Sequence, residues 1–383
     1  MALIPRAIKN EIAEKIQQKT SKAIILYGPR QAGKTTLVKE IIGELSLRAL
    51  CINADEYRYH EVLSSRDATQ LTALVSGYEL LFIDEAQRVA NIGVSLKILI
   101  DTHPKLKIIV TGSSTLELAQ GVSEPLTGRK WTYTLFPISQ LELTQLHNTF
   151  ELDQQLEERL IWGSYPEIFS LKDRQERRSY LAELSGDYLY KDVLKLSGIK
   201  NPDKLQPLLK LLAFQIGQQV SMNELGTALG MGKDTVAKYI SLLEKSFVLL
   251  RLGGFSRNLR KEVSKNSKYY FYDLGIRNAI ISDFRSPADR NDLGHLWENF
   301  LIIERFKRNA YRQHHPNPYF WRTYTGAEID YLEDFEGRLQ GYEIKFSKRK
   351  ARAPQTFLNE YENSTWQLVS RDNVFDFICD GSR

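Results

Sequence analysis

The chain has 383 residues, 42% of them apolar and 26% charged, and a formal net charge of +5. That composition excludes wholesale disorder, and the length excludes a single compact core, since one domain holds roughly 150 residues. Cys51 and Cys379 form no CxxC or other ligand spacing, which argues against a zinc site or a disulfide scaffold, and no apolar run reaches the ~18 residues of a membrane span. We therefore expect a cytoplasmic protein with no membrane partner.

Met1 to Thr20 reads as an amphipathic helix with alternating charges, lacking the apolar centre of a secretory signal. Short apolar runs then alternate with helical patterns: Ala23 to Tyr27, Ala49 to Ile52, Leu80 to Ile83, Lys107 to Val110 and Trp131 to Phe136. That rhythm predicts a mostly parallel α/β sheet covered on both faces, with ligands at the carboxyl ends of its strands.

The first strand runs into Gly28-Pro29-Arg30-Gln31-Ala32-Gly33-Lys34-Thr35, which fits GxxxxGK[ST] between strand and helix and is followed by Thr36. This is a Walker A loop: backbone amides curl around a polyphosphate, Lys34 reaches the outer phosphates, and Thr35 can coordinate magnesium. ATP and Mg2+ are the expected ligands. Leu80 to Ile83 ends in Asp84-Glu85 and reads as Walker B, with Asp84 holding the magnesium shell and Glu85 polarising the attacking water. The next strand opens into Thr111-Gly112-Ser113-Ser114, where Ser113 is either a sensor of the γ-phosphate or a cap for the following helix.

With Leu126-Thr127-Gly128-Arg129 ahead of the Trp131 strand, these segments resemble the AAA+ class. More closely, they resemble the bacterial and archaeal family that joins an AAA-type ATPase to a carboxy-terminal DUF4143 domain. The resemblance implies that Arg129 is an arginine finger reaching a neighbouring subunit's γ-phosphate, hence a homo-oligomeric, hexameric ring. The open alternative is a surface salt-bridge partner. Residues 1–150 are expected as the P-loop ATPase domain and 151–204 as a helical lid. Within the lid, Gly163-Ser164-Tyr165-Pro166 is similar to the Gly-x-Pro element of STAND-type ATPases, which implies a base contact for Pro166; the plain alternative is a helix-breaking turn. For a second sensor arginine, Arg174, Arg177 and Arg178 are all candidates.

Residues 205–285 read as a winged helix: a helix from Leu205 to Ile216, a pair of helices over Ser221 to Leu229 and Asp234 to Leu243 with Asp234 as a cap, and wing strands at Phe247 to Leu252 and Lys268 to Tyr272. Lys233, Lys238 and Lys245 make the second helix mildly basic. Arg257, Arg260, Lys261, Lys265 and Lys268 are expected at the wing tip, against DNA phosphates.

In residues 286–383, Trp297-Glu298-Asn299-Phe300 opens a helix, Tyr319 to Trp321 and Ala327 to Leu332 read as strands, and Gly341-Tyr342-Glu343-Ile344-Lys345 supplies a Glu-x-Lys. A helix acid, a strand acid and Glu-x-Lys resemble the PD-(D/E)xK nuclease core. That resemblance implies a divalent metal held by Glu298, Asp330 and Glu343, with Lys345 positioning water. Lys348, Arg349, Lys350 and Arg352 suit phosphate contact. The leading expectation is a ring-forming ATPase that binds and remodels duplex or branched DNA, including Holliday junctions. A STAND-like nucleotide switch and an ATP-gated metal-dependent nuclease are the alternatives.

Overall fold

The computed structural model describes residues 3–112, 125–188, 201–257, 266–347 and 351–379. They fall into two compact units, one of residues 5–137 with 245–247 and the other of the remainder.

In the first unit, β1 (Ala23–Tyr27), β2 (Ala49–Asn53), β3 (Leu80–Asp84), β4 (Lys107–Gly112) and β5 (Lys130–Thr134) form one sheet in the order β2-β3-β4-β1-β5. All four pairings are parallel. Every residue of β1 is buried, as an apolar strand covered on both faces requires. The helix Lys34–Glu44 inserts Leu37, Val38 and Ile41 at the three-to-four spacing of one helical face. Asp67 caps the helix Ala68–Val75 by accepting the Thr69 amide at 2.7 Å. The amino-terminal helix is shorter than expected, Lys9–Gln17, with Ile12 and Ile16 buried. Because the strands share a direction, the loop after β1, Asp84 at the end of β3 and Thr111 near the end of β4 lie along one edge of the sheet. Arg129, just before β5, lies at the opposite edge.

The second unit is built on β6 (Gln219–Val220), β7 (Leu249–Gly254), β8 (Ser267–Phe271), β9 (Asn317–Arg322), β10 (Glu328–Phe335), β11 (Arg338–Ile344) and β12 (Ser364–Val369), in the order β12-β11-β10-β9-β7-β8-β6. The strands expected as a wing, β7 and β8, therefore share one sheet with the carboxy-terminal strands. The join is a short parallel pairing of Gly253 with Tyr319 and Gly254 with Phe320. The helix Leu293–Tyr311 is buried along much of its length. Its Arg305 makes a two-pronged ion pair with Glu333 of β10, at 2.9 and 2.7 Å.

The helices Thr149–Trp162 and Arg174–Glu183, expected as a lid, pack with the helix Leu274–Ile280 around Trp162, Ile168, Leu181, Ile276 and Phe284. The expected helix pair is present as Met222–Leu229 and Lys233–Lys245. Asp234 is not the cap expected of it. The helix starts one residue earlier, and the Gly232 carbonyl accepts from the Thr235 and Val236 amides, which places Asp234 inside the first turn. Among the described residues no helix is long and apolar enough to cross a membrane.

Candidate functional site

The Walker A loop is set by two backbone constraints. Gly28 has φ +149°, and a Cβ there would fall 2.1 Å from the Leu135 carbonyl oxygen, so only glycine lets the chain leave β1 against the segment after β5. Arg6, which sequence reasoning missed, braces the loop from outside. Its buried guanidinium donates to the carbonyls of Ala32 at 2.6 Å and Phe136 at 2.5 Å.

Pro29, Arg30, Gln31 and Ala32 carry the loop round to Gly33, whose φ of +94° turns it into the helix Lys34–Glu44. Gly33 offers no capping side chain, so the first helical amides keep their donors for anionic oxygens. The buried Lys34 ammonium donates to the carbonyls of Gly28 at 2.9 Å and Pro29 at 2.8 Å, which holds it inside the loop's curve. Thr36, in the first helical turn, is exposed.

Asp84 meets this loop directly. Its Oδ2 accepts from Thr35 Oγ1 at 2.7 Å, and its Oδ1 accepts from the hydroxyl of Thr111. Thr111, fully buried on β4, is a second residue the sequence reading passed over. Its signal was a hydroxyl on an otherwise apolar strand beside Walker B. Glu85 follows in a left-handed conformation, φ +54°, uncommon for a residue with a side chain, and its Oε2 accepts from Gln87 Nε2 at 2.5 Å. A hydroxyl and a carboxylate meeting at the open end of the loop form an oxygen donor set that fits magnesium. Ser113 lies outside the described residues.

Arg129 is about half exposed, and its Nε donates to Asp101 Oδ1 at 3.0 Å. It precedes the start of β5, where Lys130 lies beside Ala23, whereas the Walker loop leaves from Tyr27 beside Thr134. Five residue steps of strand put it roughly 16 Å from its own loop's edge of the sheet.

In the second unit, Glu298, Asp330, Glu343 and Lys345 come together as the sequence order suggested, but with another residue among them. Lys268, expected at an exposed wing tip, is instead buried on β8 and ion-pairs with Glu298 at 3.3 Å and Glu328 at 2.8 Å. The wing-tip assignment fails because strand β8 carries this side chain inward, onto carboxylates contributed by distant parts of the chain. Tyr270 donates to Glu298 at 2.6 Å, and the Ile344 amide donates to Asp330 at 2.8 Å. Lys345 lies 2.7 Å from Glu343 and 3.8 Å from Asp330.

Burial pushes Glu298 up to about 7, against the pull of Lys268 and with the help of Asp330. Burial and Asp330 likewise raise Glu343. The expected metal does not fit this set: among the described residues no group of three His, Cys, Asp or Glu side chains is disposed to hold an ion.

Gly163, with φ +70°, touches the Asp273 carboxylate so closely that a Cβ would fall 2.0 Å from Oδ1, and the Ser164 amide donates to Asp273 at 2.6 Å. Pro166 opens the 3-10 turn Pro166–Phe169 that follows. Arg174 and Arg177 lie over the Trp162 ring and Arg178 over Phe284. Between the helix pair and the β7-β8 strands runs a groove of about 450 Å³, whose lining includes Asn223, Lys233, Glu244 and Arg251. Lys233, Lys238 and Lys245 are exposed, and Arg257 lies over the Tyr361 ring at 5.0 Å. Arg260, Lys261, Lys265, Lys348, Arg349 and Lys350 lie outside the described residues.

Residues 20–144 match the family model of an AAA domain (AAA_14). Residues 153–286 and 293–375 match two domains of unknown function, DUF8612 and DUF4143. An uncharacterized protein of Mycobacterium tuberculosis is 29% identical over 329 residues, spanning 84% of this chain and 70% of that protein. An uncharacterized protein of Haemophilus influenzae is 25% identical over 374 residues, 91% of this chain and 85% of the other. Among solved structures, a RuvB variant of Thermotoga maritima aligns with 64% of this chain and 88% of its own, at 18% identity and a TM-score of 0.33.

Proposed function

We propose that this chain, which joins an AAA domain to a DUF4143 domain, hydrolyses ATP with Mg2+ in a homo-oligomer and uses the cycle to bind and remodel DNA. The observation that carries the ATPase part is the meeting of Lys34, Thr35, Asp84 and Thr111 at one edge of the parallel sheet. Thr35 and Asp84 would hold magnesium there, and the ion would supply charge withdrawal from the outer phosphates.

The chain's own groups do the rest. The loop amides and Lys34 bind the phosphates, Thr35 and Asp84 take the metal shell, and Thr111 fixes the rotamer of Asp84. Glu85 takes the role of orienting and deprotonating water, and Gln87 sets its direction. Pro166 is assigned a contact with the base. Ser113 senses the γ-phosphate.

Arg129 supports assembly, since its place at the sheet edge away from its own loop leaves a neighbouring subunit's phosphates as the ones it can serve. DNA binding draws on the helix pair with its exposed Lys233 and Lys238, on Arg257, and on the basic residues Arg260, Lys261, Lys348, Arg349 and Lys350. The charge cluster around Lys268 gives no support to DNA cleavage.

ATP turnover measured against a panel of linear and branched DNAs tests the whole proposal. A several-fold stimulation is expected, with Glu85→Gln trapping a DNA-bound oligomer. Turnover that Lys34→Ala leaves intact would remove the ATPase part, and absence of DNA binding at low salt would remove the DNA part.

A further inference from the structure

The carboxylates of the second unit's charge cluster come from different elements: Glu298 from the helix Leu293–Tyr311, Glu328 and Asp330 from β10, and Glu343 from β11. Glu298 and Asp330 are almost fully buried. Carboxylates packed so closely repel one another and lose hydration, and they stay together only around a compensating cation. In many proteins a divalent ion takes that place, bound by several oxygens at roughly 2.0–2.6 Å.

Here the side chain that reaches furthest in is an ammonium. Lys268 Nζ lies 2.8 Å from Glu328 and 3.3 Å from Glu298, with only 4% of the lysine side chain exposed. Lys345 neutralises the outer side, at 2.7 Å from Glu343 and 3.8 Å from Asp330. Oxygens an ion would need are already committed: Glu298 Oε1 also accepts the Tyr270 hydroxyl, and Asp330 Oδ2 accepts the Ile344 amide.

We propose that Lys268 is a resident cation: its ammonium binds Glu298 and Glu328 beside Asp330 where a divalent metal would otherwise be needed, and the native cluster takes no such metal. A lysine on β8 thereby substitutes for the ion, its ammonium contacting one carboxylate oxygen from each of two other elements. The cluster acts as a fastener between helix and sheet. Removing Lys268 should leave the carboxylates without their cation and able to close on an added ion, and so create a metal site that the native arrangement lacks.

The test uses the full chain, stripped with EDTA and free of nucleotide, and reads Mn2+ binding by calorimetry and by thermal unfolding. Wild type and Glu298→Gln are expected to give the same Mn2+ response, because any ion near the Walker residues is common to both. Lys268→Met is expected to melt at a lower temperature than wild type and to recover part of the loss in Mn2+, since a ligand that binds only the folded form stabilises it. Lys268→Met combined with Glu298→Gln should show no recovery, and Lys268→Arg should need none. A wild-type Mn2+ signal that Glu298→Gln abolishes would overturn the proposal, as would a folded Lys268→Met protein indifferent to Mn2+. Should Lys268→Met fail to fold, the comparison of wild type with Glu298→Gln decides alone. Neither outcome bears on the nucleotide site, so this proposal and the ATPase proposal fail separately.

Discussion

Both oxygens of Asp84 are held by hydroxyls, Thr35 from the loop and Thr111 from the neighbouring strand. With Thr35 and Asp84 Oδ2 given over to a metal, Thr111 would still fix the carboxylate through Oδ1. Thr111→Val removes that restraint at nearly constant volume. We expect it to lower magnesium-dependent turnover by about 10- to 100-fold and to raise the Mg2+ concentration for half-maximal rate, as loss of a group that orients a metal ligand does. Thr111→Ser should retain most of the activity, and a Mg2+ titration of ATPase rate separates the two.

Gly163 makes a different demand, since its φ of +70° and its contact with Asp273 leave no room for a methyl group. Gly163→Ala should cost at least about 2 kcal/mol in urea unfolding, from backbone strain and displacement of a buried carboxylate.

At the scale of elements, the helix Leu293–Tyr311 is fastened to β10 by Arg305 and Glu333. Burial by itself would raise Glu333, but Arg305, Asn309 and Tyr331 outweigh it and hold the carboxyl below its usual value. A carboxylate lowered in the folded state contributes stability in full above its unfolded pKa of about 4.3 and loses it as pH falls through the folded value. Acid titration of wild type should therefore show a loss of stability below the ordinary glutamate range that Glu333→Gln lacks. At neutral pH the same variant should be destabilised by about 3–5 kcal/mol, because it leaves Arg305 buried and unpaired.

Elements of this kind show how far the sequence could be read. The five strands of the first unit are apolar runs whose identity depends on neighbours in the chain, and each appears within two residues of its expected limits. The loop between β1 and its helix was legible for the same local reason. Arg6 and Lys268 were not legible. Arg6 acts on carbonyls 26 and 130 residues away, and Lys268 on an acid 30 residues away, so neither leaves a local pattern. Lys268 also sits in Ser267-Lys268-Tyr269-Tyr270-Phe271, where a lysine near the start of a strand reads as a solvated edge until the opposing acids are placed.

For the molecule as a whole, the proposed assembly makes rate depend on concentration. If Arg129 completes a neighbour's site, specific ATPase activity should rise with protein concentration and fall by about 10³-fold or more in Arg129→Ala. Mixing Arg129→Ala with Lys34→Ala should restore part of the rate, because each supplies what the other lacks. Within one chain Arg129 rests on Asp101 in an exposed pair of a kind contributing about 0–1 kcal/mol, so a stronger anion can draw it away.

The pairing of β7 with β9 has a practical outcome for anyone dissecting this chain by truncation. A fragment beginning at residue 286 would keep Glu298, Glu328 and Asp330 but discard Lys268, and it would strip β9 of the strand beside it. Such a piece would combine an unshielded sheet border with mutually repelling acids, the recipe for a polypeptide that clumps when expressed alone. Cutting before residue 205 instead would keep all seven strands together.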